Sequence, residues 1–87
     1  MKRMDIRWYT FAEICGRDFS GCSFKEELVI SCGGSEDIAR VLFFHLRSES
    51  LAWLQRVVPA LGDQVPARLI ADGQADRVRD CLWSMPC

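Results

Sequence analysis

The apolar positions of this chain repeat at three- and four-residue spacing through its second half and only raggedly through its first. After Gly33-Gly34, the residues Ile38, Val41, Leu42 and then His45 or Leu46 mark one face of a helix. Ser35 stands at its N-cap position, and Glu36 and Asp37 place negative charge in its first turn, where the helix dipole favours it. Ser48 or Ser50 restarts a helix that carries Leu51, Trp53 and Leu54 to about Gln55. Pro59 bars its continuation, because proline has no amide and clashes with the preceding turn. Gly62 supplies a turn residue that takes a left-handed conformation cheaply. Pro66 sits where a first helical residue belongs, and Leu69 and Ile70 face inward from it. After Gly73, a last helix over 74–84 carries Ala75, Val78, Cys81 and Leu82 on one side, with Met85 in line just beyond it. The reading is an all-α bundle of four or more short helices, with turns over 59–65 and at Asp72-Gly73. Trp53, Leu54, Leu61, Leu69, Val78 and Leu82 are expected to share one core.

The first 34 residues admit two readings. Thr10-Phe11-Ala12-Glu13 and Ser23-Phe24-Lys25-Glu26 both fit a capping box, which predicts short helices over 11–15 and 24–31. Against this, Ile6, Trp8 and Thr10 alternate with charged or polar residues, and Leu28-Val29-Ile30 suits a strand. The chain divides at Gly33-Gly34 into an N-terminal segment, 1–34, of short helices or a small hairpin and a helical domain, 35–87.

At 87 residues this is a single small domain, able to bury about 60–65% of its unfolded surface. The net charge of -1 argues against a dedicated nucleic-acid module, which needs a surplus of Lys and Arg. The longest apolar run, Val41-Leu42-Phe43-Phe44, is too short to span a membrane, and no apolar stretch follows Met1-Lys2-Arg3 to make a secretory signal. A cytoplasmic address is expected. The five cysteines, at 15, 22, 32, 81 and 87, form no C-x-x-C pair and have one histidine for company. They read as reduced core hydrophobes with an exposed thiol at Cys87, not as a metal site or disulfide framework.

No catalytic constellation stands out. Gly33-Gly34 precedes a helix, but Glu36 and Asp37 would repel an anion there. His45, on an aromatic-rich helix, reads as a structural histidine. No enzyme activity, cofactor or metal is expected. Phe43 and Phe44 are adjacent and cannot both face one core, so one is expected to meet the N-terminal segment or a second protomer.

Ala52-Trp53-Leu54, Pro59-Ala60-Leu61-Gly62, Pro66, Leu69-Ile70, Gly73 and Val78 through Leu82 resemble the toxin-binding domain of antitoxins of the Xre/MbcA/ParS type. Order and spacing are kept over about half the chain. Asp63 stands where that pattern has a second glycine, Val65 where it has a threonine cap, and Ala67-Arg68 where it has a leucine-glutamate type pair. The terminal Trp83-Ser84-Met85-Pro86-Cys87 also departs from the usual tail.

The resemblance implies an inhibitor of a RES-type, NAD⁺-destroying toxin that covers the toxin's active-site entrance with its last helix and C-terminal residues. The residues it points to are Arg77, Arg79, Asp80, Trp83, Ser84, Met85, Pro86 and Cys87. Trp83 and Met85 offer apolar contact area, and Arg77, Arg79 and Asp80 offer orienting charge. The same residues also read as the last core positions and a solvated face. Many such antitoxins carry an N-terminal DNA-binding domain that needs roughly twice the 34 residues before the first firm helix here. DNA binding is therefore expected to be weak or absent. Other readings are a small phage or mobile-element inhibitor of a different host protein and a degenerate helix-turn-helix regulator over 10–31.

Overall fold

The computed structural model describes residues 6–84, and Met85, Pro86 and Cys87 of the expected partner surface lie outside them. Six α-helices follow one another among these residues: α1 (Ile6–Phe19), α2 (Lys25–Ser31), α3 (Glu36–Leu46), α4 (Ser50–Leu54), α5 (Pro66–Ala71) and α6 (Ala75–Trp83). Short 3₁₀ turns at Arg47–Glu49 and Pro59–Leu61 link α3 to α4 and α4 to α5. Among the described residues the one extended pairing is an antiparallel bridge between Val58 and Gln64. The fold is an all-α bundle.

The N-terminal third corrects the expectation drawn from capping boxes. In place of a short helix over 11–15 there is one helix of 14 residues, and Thr10 lies inside it. Its hydroxyl donates back to the Ile6 carbonyl at 3.4 Å instead of capping anything. Trp8, Ala12, Cys15 and Phe19 are buried at spacings of four, three and four, one unbroken stripe laid against α3. Ser23 likewise caps nothing: Phe24 holds the N-cap position of α2 with no side-chain cap bond. Leu28-Val29-Ile30, the strand alternative, lies within α2, where only Leu28 is buried.

The second half follows its punctuation. Pro59 and Pro66 open their helical turns, and Gly62 (φ 68°) and Gly73 (φ 80°) take the left-handed conformation. Asp63, in place of a second glycine, is also left-handed at φ 59°, a region Asp tolerates better than most residues. The turn closes where the Val58 amide donates to the Gln64 carbonyl at 3.0 Å and the Asp63 amide to the Val58 carbonyl at 3.2 Å. Ser50 opens α4 and donates to the Arg47 carbonyl at 2.6 Å, holding Arg47 in its positive-φ bend (φ 49°) between α3 and α4.

One core runs through all six helices. Trp53, Leu54, Leu61, Leu69, Val78 and Leu82 are all buried in it, as expected, together with Trp8, Phe19, Leu28, Ile38, Val41 and Leu42. Phe43 and Phe44 both meet the N-terminal segment. Phe43 packs edge-on against Phe19 and Phe24, and Phe44 against Phe11. Cys15, Cys22 and Cys32 are buried and Cys81 is half-buried, which is the core-hydrophobe reading for these four. Cys87 lies outside the described residues.

Candidate functional site: the two faces of the last helix

Helix α6 starts after the left-handed Gly73 and buries Val78 and Leu82, which fixes its rotation on the core. At 100° per residue this leaves two further faces. One carries Asp76, Arg79 and Trp83 and turns toward α1 and α3. The other carries Arg77, Asp80 and Ser84 and turns to solvent. The residues read together in the sequence as one partner surface are thus divided.

Arg79 belongs to the inward face, its side chain only 15% exposed. Its Nε donates to Asp37 Oδ2 at 2.7 Å and its Nη1 to Asp76 Oδ1 at 2.8 Å. Its Nη2 reaches Asp37 Oδ1 and the Ser35 hydroxyl, each at 3.4 Å. The indole Nε1 of Trp8 donates to the same Asp37 Oδ2 at 2.8 Å. Burial pushes the Asp37 pKa up, but the hydrogen bonds from Arg79 and Trp8, with the Arg79 charge, outweigh it and hold the carboxyl below its ordinary value. Burial pulls the Arg79 pKa down, but its hydrogen bonds to Asp37 and Asp76, with the Asp37 charge, outweigh it and hold the guanidinium above its ordinary value. Ser35, expected to cap α3 through its hydroxyl, makes no cap bond and faces Arg79.

Trp83 ends the inward face at its solvent edge. Its ring tilts against Trp8 with centroids 5.7 Å apart and meets Phe11 edge-on at 6.2 Å, yet 38% of the residue stays exposed. On the outward face Arg77 is tethered: its guanidinium donates to the Leu61 carbonyl at 3.2 Å and to Gln74 Oε1 at 3.3 Å. Asp80 and Ser84 are exposed, and the Ser84 amide closes the helix on the Asp80 carbonyl at 3.1 Å. Cys81 is half-buried next to them, its thiol pKa raised by burial and by the Asp80 charge.

The sequence reading missed Asp37 and Trp8 as members of this neighbourhood. Asp37 had a sufficient local role as first-turn charge, and the need of a buried indole N–H for an acceptor was the one signal available. His45 completes the aromatic cluster against Phe11 and Phe44. Its Nε2 is buried without a hydrogen-bond partner among the described residues, and burial lowers its pKa despite the Leu82 carbonyl nearby.

Among the described residues no three His, Cys, Asp or Glu side chains group as metal ligands, and no helix is long and apolar enough to cross a membrane. Compared with protein-family models, curated proteins and solved structures, the chain matches none.

Proposed function

We propose that this protein is an antitoxin-like inhibitor that binds a RES-type, NAD⁺-degrading toxin through the exposed surface of α6, the open edge of Trp83 together with the face of Arg77 and Asp80, and covers the toxin's active site. The observation that carries the reading is the half-open Trp83. A tryptophan more than a third exposed and packed on one side against Trp8 and Phe11 is the kind of anchor on which interfaces concentrate binding energy. Asp80, one turn before it, and Arg77 on the outward face carry opposite charges, Arg77 already tethered to Leu61, and supply orientation. The order of turns and helices from Trp53 to Leu82 supports the same reading through its resemblance to the toxin-binding domain.

The test is direct. Purified chain is titrated into a RES-type toxin while NAD⁺ loss is followed. Inhibition is expected, and it falls at least tenfold when Arg77→Glu and Asp80→Arg are combined, with circular dichroism unchanged and only a small drop in melting temperature from the lost Arg77–Leu61 bond. A toxin that stays fully active with the unaltered protein overturns the function. A double variant that inhibits as well as the parent moves the surface off this face.

A further inference from the structure

Trp8 on α1 is fully buried, and it makes two contacts that both lead to α6. Its indole Nε1 donates to Asp37 Oδ2 at 2.8 Å, the same oxygen that accepts from Arg79 Nε at 2.7 Å. Its ring tilts by 32° against the ring of Trp83 at 5.7 Å. Arg79 and Trp83 are one helical turn apart on the same face of α6. The contacts therefore close a circuit: Trp8 to Asp37, Asp37 to Arg79, one turn of helix to Trp83, and ring against ring back to Trp8.

Each link of the circuit fixes something different. An indole has a single donor, so its bond to Asp37 sets the direction of the N–H and with it the plane of the Trp8 ring. The Asp37–Arg79 pair sets the rotation of α6 on α3. The Trp8 ring is then the floor on which the Trp83 ring lies, with Phe11 edge-on at 6.2 Å as a further neighbour. A phenylalanine at position 8 would fill much of the same space without the donor, so the link to Asp37 is what a tryptophan adds. Trp8 itself is out of any partner's reach, whereas Trp83 is open at its edge. We propose that Trp8 is a positioning residue of the partner surface, holding the Trp83 ring in its half-open place before the partner arrives. The proposal rests on the reading of α6 as the toxin-binding surface. Ordering one large side chain at an interface costs about two- to tenfold in affinity, and a ring held in advance avoids that cost.

NMR relaxation of the indole N–H groups reports ring mobility, the Trp83 signal being the one lost in Trp83→Phe. The Trp83 ring is expected to loosen in Trp8→Phe, with circular dichroism unchanged, and inhibition of a RES-type toxin to weaken by about two- to tenfold. Asp37→Asn, which alters the acceptor and touches neither ring, loosens Trp83 in the same direction and carries the test should Trp8→Phe not fold. In a Trp83→Ala chain, already weak, Trp8→Phe costs nothing more, because Trp8 acts only through that ring. Leu28→Val, a core change on α2, leaves both the Trp83 ring and inhibition as in the parent, which separates loss of position from loss of stability. A parent that does not inhibit, or a Trp83→Ala chain that inhibits like it, overturns the reading of α6 and this proposal with it. With the parent active and Trp83→Ala weak, three results overturn the role of Trp8 alone: full inhibition by Trp8→Phe, an unaltered Trp83 ring, or an equal loss from Leu28→Val.

Discussion

Asp37 on α3 and Arg79 on α6, 42 positions apart in the chain, are joined at 2.7 Å with Trp8 of α1 donating to the same carboxylate oxygen. Three helices thus converge on one carboxylate whose side chain is only 17% exposed. The arrangement fixes how α6 is rotated, and so which of its residues face out. Arg79, an orienting charge in the sequence reading, acts here to hold the helix that presents Arg77 and Asp80.

Replacing Arg79 by alanine leaves Asp37 half-buried with the Trp8 indole and without its guanidinium partner. A loss of about 1–3 kcal/mol in unfolding free energy is expected, read from urea denaturation. Arg79→Lys recovers only part of this, since an ammonium cannot bridge Asp37 and Asp76 as the fork does. An unchanged denaturation midpoint for Arg79→Ala would remove the pair from the list of stabilising contacts.

Acid is expected to release the same cluster. The Asp37 pKa is held below 3.8 in the folded protein, so its contribution is complete above that value and is lost as pH falls through the folded pKa. His45 adds an earlier loss. Its folded pKa lies below 6.5 because burial disfavours the imidazolium, so folding favours the neutral ring and stability declines as pH drops from 6.5 through the folded value. Unfolding free energy followed from pH 7 to 2 should fall in two stages. Asp37→Asn flattens the lower stage and His45→Gln the upper, and a profile unchanged by either variant contradicts the assignment.

Gly33 and Gly34 are adjacent and both left-handed, but they are not equivalent. A Cβ on Gly33 would come 2.8 Å from Ile70 Cγ2, whereas one on Gly34 would meet nothing within 4 Å. Alanine at either position costs about 1 kcal/mol or more for the conformation alone. Gly33→Ala is expected to cost clearly more than Gly34→Ala in thermal melting. Equal costs would mean that α5 yields freely at Ile70.

Tight DNA binding by the protein alone is not expected. The exposed side chains of α2 are Lys25, Glu26, Glu27 and Ile30, which offer phosphates more repulsion than attraction. The exposed charges of α1 are Arg7, Glu13, Arg17 and Asp18, which make no one-signed basic stripe. Mobility shifts at physiological salt should show no sequence-selective, sub-micromolar complex, and such a complex would restore the regulator reading.

Amino-acid order by itself determined the second half of this bundle. Pro59, Gly62, Pro66 and Gly73 act through their own backbones, so their turns need no distant partner, and the inward positions between them follow from helical period. The first third was ambiguous for the same kind of reason. Over the few residues from Ile6 to Thr10 a two-residue and a three-to-four-residue period fit equally well, and capping-box spellings compete with simple helix continuation. Only docking on α3, which buries Trp8, Ala12, Cys15 and Phe19 together, selects one long helix. Trp83 could be placed at the end of the last helix, but its division between core and solvent depended on Trp8 and Phe11. Arg79 turned inward because Asp37 waits there with an acceptor that local sequence does not announce. Local punctuation is a property of single residues, whereas the choice of which charges face out belongs to pairs that meet only when the helices pack.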